Sequence, residues 1–411
     1  MSAVNQLDSG FVRQHFPGLN GWALFENAGG TLVPQSVIDR VRSYMSETQV
    51  QPGAVYAASA LATERIDKSQ RLMAEMINAA PEEIVIGPSS TTNVYVLAHA
   101  LRSGLKPGDE LIVTNLDHET NIGAWRRLAR AGVVIKEWRM LPDTAELAIA
   151  DLEALLTERT RLVCFTHCSN ITGSITDVQT ITRRVHEAGA RVCVDAVAYA
   201  AHRPLDVKAL DVDFLIFSTY KLYGPHLAIL YGKREHLLAA EGQNHFFIGE
   251  NDIPLKLNPG GVNHELTAGL SGIVDYFDAL YDHHFPGQQA GVRQRMQKVF
   301  RLFADHEQAL ARRFIDFLLT KPKVRLFGLA TADKRRRVPT FSFVVEDRDS
   351  EEIPRRLVEK SVAIRSGNFY APRCIEALGV AERNGVIRAS MVHYNTLDEV
   401  DRLIAGLDAV L

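Results

Sequence analysis

Lys221 closes an apolar run, VDFLIFSTYK, and is followed by the turn-forming LYGP. A lysine held away from water binds its proton less tightly and becomes an amine able to form an imine with a carbonyl. The same placement suits a lysine that merely snorkels from the end of a strand, and spacing alone leaves both readings open. Asp195 closes another apolar run, RVCVD, before the small residues AVAYAA. Such an aspartate usually caps the next segment. Beside an imine-forming lysine it could instead keep a pyridine nitrogen protonated, so that the ring accepts electrons from a substrate carbanion. In GPSSTTNVYVLA, Ser90, Thr91 and Thr92 fall where a helix begins, so amides and hydroxyls can converge on an anion. Ordinary capping would use the same residues. The chain has neither a Walker-type loop nor a dinucleotide glycine pattern, so a nucleotide is not the favoured anion.

The elements that must position these residues follow from the hydrophobic pattern. Between about residues 80 and 232, β-rich runs alternate with helical ones: EEIVIG, DELIVTN, VVIKEWRM, RLVCFTH, RVCVDAV, VDFLIFS and LAILYG. Strands separated by helices of this length predict a mostly parallel sheet covered on both faces. Ligands of such sheets gather at the carboxyl ends of the strands, where 115–121, 167–172, Asp195 and 218–221 fall. After the break LNPGGVNHE, the chain is expected to be helical from about Ala268 to Leu318. The last third reads as a smaller α+β unit, with PTFSFVVE, a helix over Ser350–Lys360, VAIRSG, VIRASMVHYN and a final helix from Leu397.

Composition narrows the function classes. Of the 411 residues, 46 are basic and 49 acidic, a net charge of -3, which argues against a general polyanion-binding surface. The one basic cluster, Lys334–Arg337, reads as a solvated loop before a strand. MSAVNQLDSG lacks the basic start and apolar core of an export signal, and no apolar run reaches bilayer-spanning length. Cysteines 164, 168, 193 and 374 form no disulfide framework. They read as reduced, packed residues of a cytoplasmic protein with no metal site, no nucleic-acid partner and no membrane association.

Five segments carry a more specific signal. FSTYKLYGP, VDAVAYAAHRPLD, LDHETNIGAW, THCSNITGSITD and VIRASMVHYNT resemble motifs of the class V aminotransferase family, in particular its cysteine desulfurase-like branch. The likeness runs from FENAGGTLVPQ to the C-terminal helix. It implies an α/β protein of pyridoxal 5'-phosphate (PLP) fold type I, with a seven-stranded-type sheet and a smaller C-terminal domain. The expected division is an N-terminal segment, 1–24, packing on the small domain, a PLP-binding large domain, 25–267, and a connecting helix plus small domain, 268–411. By the same resemblance Lys221 is the Schiff-base lysine and proton shuttle, Asp195 faces the pyridine nitrogen, and His118 stacks on the ring. Asn170 lies near the phenolic oxygen, and Thr91, Thr92, Ser218 and Tyr220 hold the phosphate. Arg388 grips the substrate carboxylate and Asn27 lines the substrate side. A homodimer is implied too, with the stretch Pro259–Glu265 reaching across.

Some positions depart from the family pattern. Tyr370 stands in SGNFYAPRC where cysteine desulfurases carry their nucleophilic cysteine, and is expected on the substrate side; Cys374, four positions on, reads as a packing residue. Ala198 replaces a polar residue near the phenolic oxygen, and Gly261 stands where a threonine from the partner subunit touches the phosphate, a cofactor contact its amide could still make. Arg365 either offers a second anionic contact or faces solvent. The implied function is action at Cα or Cβ of an α-amino acid, with C–S lyase chemistry foremost. Aminotransferase or epimerase activity is the alternative within the family, and a non-catalytic PLP-binding protein the alternative outside enzymes.

Overall fold

The computed structural model describes residues 6–411. Seven strands form the central sheet in the spatial order Ile84–Gly87, Ala228–Gly232, Phe214–Ser218, Arg191–Asp195, Thr160–Thr166, Glu110–Thr114, Val134–Trp138. Only Ala228–Gly232 runs against its neighbours; the other pairings are parallel. Being covered on both faces, the inner strands are apolar at nearly every position, as parallel sheets require. Alternate residues feed two cores: Val163 and Phe165 enter one, Leu162 and Cys164 the other. The first face packs on Val178–Glu187 and Ser271–His284, the second on Ser90–Arg102 and Thr120–Arg127.

A second unit holds the four-stranded antiparallel sheet Arg365–Gly367, Val386–Ser390, Thr340–Val345, Val324–Phe327. The long helix Val292–Leu319 spans both units, with Val299, Phe300 and Phe303 in the large core and Leu310, Phe314 and Leu318 in the small one. The helical stretch expected over 268–318 is present and is divided among His264–Gly269, Ser271–His284 and Val292–Leu319. Pro286, Gly287 and Gly291 lie in the last gap, and Gly287 has φ +75°, which breaks helical geometry. Before the sheet, Ala23–Leu24 pairs in parallel with Val362–Ala363 of the small unit, while Val12 and Phe16 enter the large core. Residues 1–5 of the expected N-terminal segment lie outside the described residues.

The first three residues of the cluster 334–337 form the surface loop its charge suggested, with Arg335 and Arg336 exposed, and only Arg337 departs from that reading. Lys334, Arg335 and Arg336 pair with Asp305, Asp333 and Glu146. Arg337 is 2% exposed. It donates to the carbonyls of Leu329, Thr172 (2.7 Å) and Thr340 (2.8 Å), and its guanidinium lies over the Phe341 ring. Burial was invisible in sequence because these acceptors are backbone oxygens from distant segments.

Candidate active site

The carboxyl ends of the strands put five segments around one cleft. Gly87 leads to Ser89, Ser90 and Thr91; Thr114 to His118 and Thr120; Thr166 to Cys168 and Asn170. The strand ends Asp195 and Ser218 complete the lining with Val197, Ala198, Tyr220 and Lys221. This is the edge at which open α/β sheets bind ligands. Thus Lys221, Asp195, His118, Asn170, Thr91, Ser218 and Tyr220 share one cavity.

Electrostatics set these groups apart from surface residues. Lys221 is 8% exposed; burial, helped by the Arg388 charge and opposed by Asp195, lowers its pKa to about 8. Burial pushes the Asp195 carboxyl up to about 6, although the Val197 N–H donates to its Oδ1 at 2.8 Å. His118 is pushed down to about 3 by burial and by the Lys221 and Arg388 charges. Its Nδ1 accepts the Thr120 N–H at 3.1 Å, which places the proton of the neutral ring on Nε2. His118 is therefore an uncharged ring at neutral pH, suited to covering a flat apolar face.

One end of the cleft is built for an anion. Ser89 caps the 13-residue helix Ser90–Arg102 by accepting the Thr92 N–H. Hydroxyls gather beside this N-terminus: Ser90 with Ser218 at 2.8 Å, and Thr91 with Thr120 at 2.8 Å. Dipole, amides and hydroxyls together favour a phosphate. Thr92 does not line the cavity; its hydroxyl bonds Ser89 at 2.9 Å. Gly261, with φ +84°, is exposed and lies outside the cleft lining of this single chain.

The mouth is formed by the small unit. Arg388, on the second strand of its sheet, is 2% exposed and donates to the Asn170 carbonyl at 2.9 Å. Its guanidinium lies 3.7 Å from the Phe369 ring centroid, and its buried Nε has no partner among the described residues. Burial lowers its pKa to about 9, still a cation near neutrality. Asn170 also donates to the Phe369 carbonyl at 3.0 Å. Tyr370 is 74% exposed, with φ +56°, and its ring centroid is 5.5 Å from that of His118. Arg365 lines the same mouth and is paired with Glu26. Asn27 is buried away from the cleft, its amide donating to Leu24, Ser390 and Asn395 while its oxygen accepts from Tyr394. It therefore positions Glu26, Ala28 and Gly29, which do line the mouth.

Sequence reasoning passed over Ser89, Thr120, Phe369 and Asp117. A Ser-Ser pair before the helix and a hydroxyl two residues after His118 were available signals for the first two. Asp117 was covered only by the strand-end stretch 115–121: burial lifts it to about 7, with Thr114 and Asn121 as its hydrogen-bond partners. The lining as a whole fits PLP. It offers an anion cradle at one end, a raised carboxylate for a ring nitrogen, a neutral imidazole for a ring face, and a buried amine for the aldehyde.

Such a sheet and site define a PLP-dependent α/β enzyme of fold type I. Comparisons with known proteins agree. The family model "Aminotransferase class-V" matches residues 23–281 and 286–403. An aminotransferase-like protein of Gibberella zeae is 39% identical over 409 residues, covering 97% of this chain and 98% of the relative. A cysteine desulfurase-like protein of Aspergillus flavus is 35% identical, covering 99% and 91%. The apo structure of a cysteine desulfurase from Thermococcus onnurineus NA1 has the same fold, with a TM-score of 0.87 at 24% identity over 98% of both chains. The chain belongs to the class V aminotransferase family, whose members are PLP-dependent.

Proposed function

We propose that the chain acts at Cα and Cβ of an α-amino acid, releasing a sulfur substituent from Cβ by C–S lyase chemistry. The observation that carries this reading is the buried Lys221 beside Asp195 in a cleft with an anion cradle at one end and Arg388 at its mouth. Bound there, PLP supplies the electron sink that labilises bonds at the substrate Cα. Arg388 holds the α-carboxylate through its free guanidinium edge and so sets which Cα bond faces the sink. The Lys221 amine takes the α-proton at Nζ. The Asp195 carboxylate holds a proton on the heteroaromatic nitrogen. His118 and the Phe369–Tyr370 loop shield the site from water.

A thiolate leaving from Cβ needs no protein nucleophile. None of the cysteines is suited to be one: all four are buried, and burial pushes the Cys168 and Cys374 thiols up to about 12. Their free state also accords with a reducing, cytoplasmic setting. Exposed Val55, Tyr56, Phe246 and Phe247 support a homodimer, in which a partner would complete the anion cradle.

The test is the absorbance spectrum of purified protein supplied with PLP, alone and with cysteine, cystathionine or alanine. A band lost in Lys221→Ala, with pyruvate and sulfide or thiol formed from the sulfur amino acids, is expected. Conversion of the cofactor to its aminated form by alanine would replace lyase by aminotransferase. A protein that stays colourless would remove the cofactor assignment.

A further inference from the structure

The mouth of the cleft carries three charged side chains whose arrangement is set by backbone pairing. Arg365 and Arg388 are direct partners on adjacent antiparallel strands, so their side chains leave the same sheet face as close neighbours. Glu26 is bridged to Ser390, two residues beyond Arg388 on the same strand. Arg365 Nη1 and Glu26 Oε1 are 2.9 Å apart, and both residues line the cavity that also contains Lys221, His118 and Arg388. Arg388 is fully buried, whereas the side chains of Arg365 and Glu26 are 65% and 33% exposed. The site is thus graded: one cation deep, next to the reactive lysine, and one opposite-charge pair outside it.

If Arg388 holds the carboxylate of the reacting amino acid, that amino acid's Cβ substituent is left to meet the outer pair. An apolar substituent would meet two charges it cannot satisfy. A lone anion would take Arg365 but lie against the Glu26 carboxylate, and a lone cation would take Glu26 but lie against Arg365. A group with both charges can exchange partners with the pair, carboxylate to Arg365 and ammonium to Glu26. Because the pair is partly exposed, breaking it costs little.

We propose that Arg365 and Glu26 form a subsite for a second amino-acid headgroup, so that the preferred substrate is a thioether or disulfide joining two α-amino acids. This rests on the Cα/Cβ reading above and names its substrate class. Arg365 and Glu26 are specificity determinants, and neither touches the reacting atoms.

The test is a binding titration of the PLP-loaded protein, followed by calorimetry and by the change in the cofactor band. Four ligands share the cysteine end: cystathionine, S-ethylcysteine, S-carboxymethylcysteine and S-aminoethylcysteine. Cystathionine is expected to bind at least about tenfold more tightly than each of the other three, roughly 1.4 kcal/mol. That preference should collapse toward one in Arg365→Ala and in Glu26→Gln, and Arg365→Lys should retain part of it. Equal binding of cystathionine and S-ethylcysteine overturns the proposal. So does binding of a singly charged analogue as tight as that of cystathionine, or a preference that survives both substitutions. If Arg365→Ala fails to take up cofactor, Glu26→Gln alone decides. An intact band with no preference defeats the subsite and leaves the Cα/Cβ reading standing, whereas no band in the wild-type protein defeats both.

Discussion

Lys221 illustrates how burial converts a common side chain into a reactive one. Its pKa of about 8 means that most of it is protonated at pH 7, and that the reactive free amine grows as pH rises through 8. The rate of internal imine formation on mixing apoprotein with PLP is therefore expected to climb through about pH 8 and level off above it. Asp195 acts in the opposite direction to burial, raising the lysine's pKa, so Asp195→Asn should move the midpoint downward. Stopped-flow recording of the cofactor band checks both, and a rate flat across that range would contradict the assignment. Arg388 gives a second expectation. One of its nitrogens is held by the Asn170 carbonyl while its buried Nε is free. Lysine cannot keep the first contact and present a planar pair of donors. Arg388→Lys should weaken amino-acid binding roughly tenfold to a hundredfold, the worth of one charge-assisted hydrogen bond, with the cofactor band retained.

At the scale of elements, the turn after Thr160–Thr166 joins the two units. Gly173 has φ +72°, and a Cβ placed there would meet the Thr340 carbonyl oxygen at 2.5 Å and that of Val338 at 2.8 Å. Both the left-handed conformation and the close approach of a small-unit strand require glycine. Gly173→Ala is expected to lower stability by more than about 1 kcal/mol, measured by denaturant unfolding of the apoprotein. It should also loosen Asn170, and with it the Phe369 loop and Arg388, so amino-acid binding should weaken alongside stability. Unchanged unfolding would show that the turn relaxes freely.

The two units are held in register by buried polar contacts as well as by the shared long helix. Arg337 is central, joining the carbonyls of Thr172, Leu329 and Thr340. Arg337→Met would keep the volume but leave buried carbonyls unpaired, at about 1–3 kcal/mol apiece. A clear drop in the unfolding midpoint is expected, followed by fluorescence or circular dichroism. Assembly is the other question at this scale. Phe246 is fully exposed and Phe247 is 68% exposed in the single chain. If a partner covers them, the protein should sediment as a dimer, and Phe246→Asp with Phe247→Asp should yield monomers that retain PLP less well. A wild-type monomer with full cofactor occupancy would contradict the proposed dimer.

Much was legible in the sequence because it is encoded locally. Apolar runs closed by Gly87, Thr114, Thr166, Asp195 and Ser218 mark strand ends, and the βα alternation places all of those ends on one edge of a sheet. That determined the fold class and gathered Lys221, Asp195, His118 and Asn170 into one site. Other features depend on contacts between segments far apart in the chain. Arg337 looks like a solvated charge until the elements that bury it are in place. Asn27 looks like a substrate ligand until its amide is seen engaged by Leu24, Ser390 and Asn395. Thr92 shares its motif with Thr91, yet helix phase turns it toward Ser89 instead of the cleft. The pairing of Arg365 with Glu26 belongs to the same class, since 338 residues separate them and only cross-strand register makes them neighbours. Hydrophobic period fixes which elements form and which way their ends point; tertiary packing decides which polar groups lose water, and so which can do chemistry.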